Sequence, residues 1–553
     1  MILQNQLIQY AVTILLFSPT FPTDSLPFAL PTTQDIPLNL NLVPLCPATE
    51  FESLQVPMNT SYLRRLRAPG ALKAILMGRT SNRQSKKIVI DYSSPNIAKQ
   101  FHIGNLRSTL IGRYLEKIHR AMGEDVTSIN YLGDWGTQFA MIATYWRKVR
   151  PSDSFWNSCS DVDKIRTLTD CYVVANKQSK VDEEFREKVR DTFASMEECM
   201  ENNELSSPVL QLWQDIKKIS KRHLQHFYDM LNIEFDRWEY ESSYVTAARR
   251  LAADLLKDEV ARVAPSGISV VDLDGSELEE YAVIRKSDFT TLYLSRELAC
   301  VLDRDDLFHA DRYLYVVDRA QRKHFEALRL ILKRIGKEDL AEKIEHVPYG
   351  RVKGLSTRLG RTEAVGDIID KGAELALKFM QSSPTIKIPP EKEEEVSRQL
   401  SISTVVFNDL KRAKSAEYEF SFTNAFDLNH NNALSLQVRH SRLCSIEANN
   451  AELVPLLDDC NGVLVETLEA MKLAEQLSQF PEVLVRSANY AEPCQLIVYL
   501  IELSHYIGQV ISQAKIKGQP TDVAVPRLLL LSASRAVLKE GISLLGAQPV
   551  ESM

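Results

Sequence analysis

Cysteine is sparse and scattered: eight residues in 553, the closest pair being Cys159 and Cys171. No Cys-x-x-Cys occurs, so neither a zinc knuckle nor a disulfide framework is spelled. The ten histidines show no metal-ligand spacing, and no protein-held metal is expected. Reduced thiols fit a cytosolic or organellar-matrix enzyme. Basic residues are missing from the first 60 positions, the first being Arg64. That removes both the Arg-rich composition of a mitochondrial presequence and the basic start of a secretory signal. The apolar stretch Leu7–Phe21 is broken by Gln9 and Pro19 and is too short to cross a bilayer, so no membrane association is expected. Prolines at 19, 22, 27, 31, 37, 44 and 47 make residues 1–60 a poorly ordered or targeting leader.

Strong charge of either sign is missing too. A net charge of −7 gives no bulk attraction to a polyanion, so any nucleic-acid contact must come from local basic patches. Candidates are Arg64, Arg65 and Arg67; Lys217, Lys218, Lys221 and Arg222; and Lys411, Arg412 and Lys414. With 44% hydrophobic and 25% charged residues the chain reads as an ordinary soluble protein. Its length suits about three or four domains.

What is present is an α/β signal followed by helix. Residues 61–85 form a short basic approach segment. A β-branched run, Ile88-Val89-Ile90, predicts a buried strand over 88–94. Apolar spacing at Leu106, Leu110, Leu115, Ile118 and Met122 predicts a helix over 106–122, closed at Gly123. A second strand is expected over 126–132, completing half of a nucleotide-binding sheet. Residues 147–245 read as a charged helical insertion with no strand. Residues 262–288 read as a second insertion containing a hairpin around Gly275-Ser276. The sheet is expected to resume at 291–294, 313–317 and 346–349. Pro384, Pro389-Pro390 and the acidic run from Glu391 mark a linker over 381–400. From 401 to 553 the pattern is helical, the last helix expected from Pro526 to just before Gly546.

The turn after the first strand carries His102, Gly104 and Asn105. Free backbone N–H groups and a positive helix end at one spot suit a polyphosphate. Gly104 permits close approach, and His102 can donate to a phosphate oxygen. A surface lysine and an ordinary helix cap are the bland alternatives for Lys99 and for this turn.

The whole string Asp91-Tyr-Ser-Ser-Pro-Asn-Ile-Ala-Lys-Gln-Phe-His-Ile-Gly-Asn105 resembles the HIGH region of the class I aminoacyl-tRNA synthetases, specifically the arginine enzymes. Later blocks follow in family order: the Gly-Asp-Trp-Gly136 segment, Tyr293-Leu-Ser-Arg-Glu297, and Tyr315-Val-Val-Asp-Arg-Ala-Gln321 with His324. Lys353-Gly-Leu-Ser-Thr-Arg-Leu-Gly360 stands in the place of the KMSKS loop; Gln437-Val-Arg-His-Ser-Arg-Leu-Cys444 and the terminal Met553 resemble the anticodon-binding domain. The spellings are most similar to mitochondrial and yeast-like forms.

The resemblance implies a Rossmann-type catalytic domain over 86–380 with helical insertions, and an all-α anticodon-binding domain over 401–553. It implies ATP with Mg²⁺, L-arginine and tRNA(Arg) as ligands, and a monomer. The compartment it implies is the mitochondrial matrix, with the cytoplasm as the alternative. ATP would meet Lys99, His102, Gly104, Asn105, Gly136, Ser356 and Arg358, with Lys99, His102 and Asn105 catalytic. Lys99 is expected to offer a free cation, compensating for the missing second lysine of the KMSKS loop. Arginine would meet Asp91, Ser94, Pro95, Asn96, Asn105, Tyr293, Glu297 and Gln321, and tRNA would meet Met553.

Five residues depart from the family pattern. Asn105 replaces a usual histidine and keeps a donor without the charge. Glu297 stands where Asp is usual, and Asp91 where Glu often occurs. Ile511 and Lys515 replace an anticodon aromatic pair. A catalytically weakened paralogue that binds tRNA, or another nucleotidyltransferase of the HxGH type, are the competing readings. The long helical C-terminal region argues against the latter.

Overall fold

The computed structural model describes residues 60–68, 70–79, 85–99, 101, 103–273, 281–353, 365–382, 388–426, 432–461 and 467–553. The leader therefore lies outside the described residues, as do His102, Ser356 and Arg358.

Eight strands matter here: β1 (Lys87–Asp91), β2 (Asp125–Leu132), β3 (Arg237–Tyr240), β4 (Arg262–Val263), β5 (Ser269–Asp272), β6 (Tyr281–Arg285), β7 (Arg312–Asp318) and β8 (Ile344–Tyr349). Five form one all-parallel sheet in the order β3-β2-β1-β7-β8. The chain leaves β1 toward β2 on one side and returns as β7 on the other. The crevice beyond the carboxyl ends of β1 and β7 is therefore the topological switch point, where open α/β sheets bind ligands. Strands β4, β5 and β6 make a separate antiparallel sheet, within the expected second insertion.

Both faces of the main sheet are covered, which explains its apolar strands. Period-2 alternation sends Ile88, Ile90, Leu314 and Val316 into one core, with Leu106, Leu110 and Leu115 of helix Ile103–Ala121. Val89, Ile129, Tyr131, Tyr313 and Tyr315 face the other way, into a core completed by Leu298, Val301, Leu328 and Ile331. Asp91 stands two residues after Val89, so the same alternation aims it at that second core.

The helices needed below are α1 (Thr60–Arg67), α2 (Ala71–Arg79), α3 (Ile103–Ala121), α4 (Thr137–Val149), α5 (Asp161–Val181), α6 (Glu183–Glu201), α7 (Pro208–Met230) and α8 (Tyr293–Phe308). After these come α9 (Val365–Ser382), α10 (Glu393–Leu410), α11 (Ala433–Ala448), α12 (Leu468–Asn489), α13 (Cys494–Gln513) and α14 (Thr521–Leu544). Helix α13 is long and apolar enough to cross a membrane. Its apolar residues Leu496, Leu500, Leu503 and Ile507 are buried in the C-terminal bundle.

Several sequence expectations need correction. The first strand stops at Asp91, not 94, because Ser93 (φ 67°) and Ser94 (φ 40°) turn the chain. The helical insertion ends in a strand: β3 pairs with β2 and forms the sheet edge. Its four residues, Arg-Trp-Glu-Tyr, are too short and too mixed to show a period-2 signal. Residues 291–294 are not a sheet strand; Thr291 makes one bridge to Arg285 and Tyr293 begins α8. The linker is interrupted by helix from Glu393, where three glutamates occupy a first turn that favours negative charge. The last helix begins at Thr521 after Pro520, leaving Pro526 inside it.

The approach segment is also more than an approach. Helix α1 packs on α14, and Arg67 donates to Ser532 Oγ (2.8 Å) while pairing with Asp458 (2.9 Å). Arg64 donates to the Asp458 carbonyl. Two members of the first basic patch thus clamp the N-terminal helix onto the C-terminal bundle. In the second patch Lys217 pairs with Asp134 (2.8 Å) and Arg222 with Asp161 (2.8 Å). In the third, Lys414 donates to the Tyr490 carbonyl (2.5 Å).

Candidate active site

The turn after β1 is built by close approach. Asn96 bridges to Gly133, and a Cβ at Gly133 would sit 2.0 Å from Asn96 Oδ1. A larger residue there would displace the Asn96 side chain. Ser94 ties the turn down: its hydroxyl donates to Asp91 Oδ1 (2.6 Å) and accepts from the Tyr131 amide (3.0 Å). The Ser94 amide donates to Asn130 Oδ1 (3.2 Å). Pro95 is buried behind the turn and Asn96 is exposed on it.

Helix α3 starts at Ile103, placing Gly104 and Asn105 in its half-buried first turn. No acidic residue lies in that turn, so the helix's own first turn places no negative charge against its positive end. Ser108 of α3 accepts from the Ser93 amide (3.0 Å) and donates to the Val316 carbonyl (2.6 Å), locking the helix to β1 and β7. Arg107, 1% exposed, reaches the other way and donates to the Ala416 (2.7 Å) and Ala413 (3.0 Å) carbonyls. Sequence reading passed over Arg107. Its signal was a charge at a position that the helical period makes internal.

Lys99 does not project a free cation. Its ammonium lies over the ring of Tyr172 on α5, 4.8 Å from the centroid, and burial lowers its pKa. Gly136, at φ 128°, is the residue before α4 and needs glycine's conformational freedom. Beside it Asp134 is fully buried, accepting from the Ser242 amide (2.8 Å) and hydroxyl (2.7 Å).

Tyr293 and Glu297 lie one helical turn apart on α8. Tyr293 is 42% exposed, its ring 4.9 Å from that of His324. Glu297 is 1% exposed; among the described residues neither carboxylate oxygen has a hydrogen-bond partner of good geometry, and the Tyr293 hydroxyl is a neighbouring donor that lowers its pKa. Burial, opposed by Arg304 and assisted by Asp91, pushes its pKa up to about 7. An unpartnered buried carboxylate is costly unless a ligand completes it. Asp91 is different: one oxygen holds Ser94 and the other lies 2.8 Å from Arg304 Nη2. Gln321 is exposed on the short turn after β7. Asp91 at the end of β1 and Gln321 in the turn after β7 thus stand at the carboxyl ends of the two strands, with Tyr293 and Glu297 on α8 beside them.

The Gln437–Cys444 block serves the C-terminus. The Gln437 side chain donates to the Gln548 carbonyl (2.8 Å) and accepts from the Val550 amide (2.8 Å). His440 Nδ1 donates to the Val550 carbonyl (2.9 Å). Met553 packs with Met380, Val396, Leu400 and Val550 in a small third core. Among the described residues no group of three His, Cys, Asp or Glu side chains could hold a metal ion.

Comparison with known proteins agrees with this geometry. Residues 71–422 match the catalytic domain of the class I (R) tRNA synthetases, and residues 436–553 match the DALR anticodon binding domain. The chain is 33% identical over 471 residues to a probable mitochondrial arginine–tRNA ligase of Mus musculus, covering 85% of this chain and 79% of that protein. It is 31% identical over 511 residues to the cytoplasmic arginine–tRNA ligase of Saccharomyces cerevisiae, covering 90% and 82%. In fold it is similar to the arginyl-tRNA synthetase of Plasmodium falciparum, with TM-score 0.68, 22% identity, and 88% and 83% of the two chains covered. A parallel sheet with its switch-point site, joined to a helical DALR domain, is the architecture of that family, and this chain belongs to the class I tRNA synthetases of the arginine (R) type.

Proposed function

We infer that the protein is an arginine–tRNA ligase that forms arginyl-adenylate from L-arginine and ATP and passes the arginyl group to the terminal adenosine of tRNA(Arg). The observation that carries the choice of amino acid is Glu297: a buried carboxylate whose oxygens have no well-placed hydrogen-bond partner among the described residues. A planar guanidinium presents two parallel N–H donors to such a fork, whereas a lysine ammonium cannot match both oxygens. Tyr293 and Gln321 would flank the side chain. Asn96, Ser94, Pro95 and Asn105, with Asp91 behind them, would shape the end of the pocket nearer the nucleotide.

The carboxylate of arginine attacks the α-phosphorus of ATP in line and pyrophosphate leaves. The protein's part is positioning and neutralisation of charge growing on the phosphates. His102, Gly104 and Asn105 at the start of α3 would hold the phosphates, with Lys99 released from Tyr172 to join them. Gly136, Ser356 and Arg358 complete the nucleotide site in this reading. With no carboxylate in the first turn of α3, Mg²⁺ enters as part of the MgATP substrate. The C-terminal helices and Met553 would read the tRNA. The mitochondrial names of relatives at 33% and 30% identity support the mitochondrial matrix as the compartment, and a cytoplasmic relative at 31% keeps the cytoplasm as the alternative; a tagged protein found only in the cytosol would overturn the first. Action as a monomer is part of this reading.

The direct test is aminoacylation of tRNA(Arg) with arginine or lysine. Arginine is charged and lysine rejected, because each orphaned buried group costs roughly 1–3 kcal/mol. Comparable charging of the two would sink the assignment. Nothing in the structure favours a weakened paralogue over a ligase.

A further inference from the structure

Arg304 lies on α8, two turns beyond Glu297 and on the same face, and is 0% exposed. Its guanidinium crosses four of the five strands of the main sheet. Nε donates to Glu239 Oε2 on edge strand β3 (2.9 Å), and Nη2 lies 2.8 Å from Asp91 Oδ2 on β1. Nη1 donates to Tyr315 Oη on β7 (3.0 Å), and the group stacks over Tyr131 of β2 at 5.2 Å. Asp91 pairs with Tyr315 and with Ile129, and Tyr131, two residues beyond Ile129, pairs with Glu239, so the four side chains stand in two neighbouring rows on the face that α8 covers.

The charges do not balance. Asp91, Glu239 and Glu297 are three buried acids around one buried guanidinium. Arg304 satisfies the first two and leaves Glu297 bare. Without that fork a substrate guanidinium would face three competing carboxylates, and α8 would lose its strongest tie to the sheet. We propose that Arg304 is a positioning residue for amino-acid selection: it occupies Asp91 and Glu239, fixes α8 across the strands, and so leaves Glu297 as the single acceptor for the substrate's side chain. This rests on the reading that Glu297 receives the guanidinium.

The test is steady-state aminoacylation by the full chain with tRNA(Arg). Arg304→Lys keeps the charge but cannot hold Asp91 and Glu239 in both rows at once, since an ammonium lacks the planar fork. Its KM for arginine rises by about tenfold or more while KM for ATP stays within about twofold. Glu239→Gln is nearly isosteric, sits two strands from Asp91, and raises the same KM in the same selective way by loosening Arg304. A merely structural role would lower thermal stability or kcat without singling out arginine. If Arg304→Lys does not fold, Glu239→Gln decides alone. Folded variants whose KM for arginine stays within about twofold of the parent overturn the proposal. Glu297→Gln tests the underlying reading separately. If it leaves KM for arginine unchanged, the guanidinium site lies elsewhere and the role of Arg304 falls with it. If it raises that KM while the other two variants do not, only the Arg304 proposal fails.

Discussion

Glu197, in the helical insertion, accepts two hydrogen bonds from one residue of the catalytic domain: the Thr291 amide at 2.9 Å and the Thr291 hydroxyl at 2.6 Å. Thr291 lies two residues before Tyr293, so an insertion helix sets the entry into the helix that carries the pocket. Trp135 Nε1 donates to the same carboxylate (3.3 Å), and Arg296 lies 3.8 Å away. Glu197 is 0% exposed. The insertion is thus bonded to both the Gly-Asp-Trp-Gly segment and the start of α8.

Removing that carboxylate should be expensive. Glu197→Ala leaves the Thr291 and Trp135 donors unsatisfied and is expected to cost about 3 kcal/mol or more. Glu197→Gln, which keeps an accepting oxygen, costs less. The midpoint of urea unfolding checks both, and a loss below about 1 kcal/mol for the alanine variant would remove the joint from the account of stability.

If Glu297 receives the guanidinium, as proposed, its pKa of about 7 makes arginine binding pH-dependent. Burial is the main cause, with Asp91 and Glu241 adding repulsion and Arg304 opposing it. Its native pKa lies above the unfolded value, so between about pH 4.3 and 7 the folded state holds the extra proton. Stability of the ligand-free protein therefore falls as pH rises through that window. Arginine binding runs the other way, because the guanidinium needs the carboxylate. KM for arginine is expected to fall by up to roughly tenfold per unit as pH rises toward 7 and to level off above it. Glu297→Gln should flatten the profile; a flat profile in the parent would take Glu297 out of the pocket.

Lys99 would have to leave Tyr172 to reach a bound nucleotide. Its ammonium rests on Tyr172, a contact worth roughly 0.5–2 kcal/mol, which phosphate oxygens can outbid. Lys99→Ala is expected to slow adenylate formation by about 10²-fold, or roughly 2.7 kcal/mol. Tyr172→Leu should change the same rate by less than about tenfold. Single-turnover measurement with tRNA present decides it, and an unchanged rate for Lys99→Ala would exclude the lysine from the mechanism.

Much of this was legible in the sequence because local pattern and tertiary role coincide. The run Ile88-Val89-Ile90, the helix through Leu106 and Leu110, and the turn residues between them signal their structure at short range. Glu297 was legible only through a motif, and its charged state depends on burial that no local pattern shows. Strand β3 was hidden because pairing with β2, not its own four residues, makes it a strand. Arg304 was hidden for a related reason: its partners Glu239, Asp91 and Tyr315 are spread over more than two hundred positions of the chain and meet only across the sheet. Arg64 and Lys217 looked like a nucleic-acid surface because a sequence gives charges without their partners.

Asn105 offers the sharpest test of whether a departure from a family pattern is decay or variation. It sits in the half-buried first turn of α3, where backbone N–H groups already favour an anion. If the position needs only a hydrogen-bond donor, the asparagine amide suffices. Asn105→His is then expected to change the rate of adenylate formation by less than about tenfold, or roughly 1.4 kcal/mol. If a cationic imidazole is required, the substitution raises the rate far more, since a charged donor is worth about twice a neutral one. The first outcome is expected because the rest of the scaffold is intact. Ser108 still locks α3 to both strands, Gly133 still accommodates Asn96, and Ser94 still fixes the turn. Single-turnover kinetics on both proteins settle the matter: an inactive natural chain that recovers as Asn105→His would overturn this view.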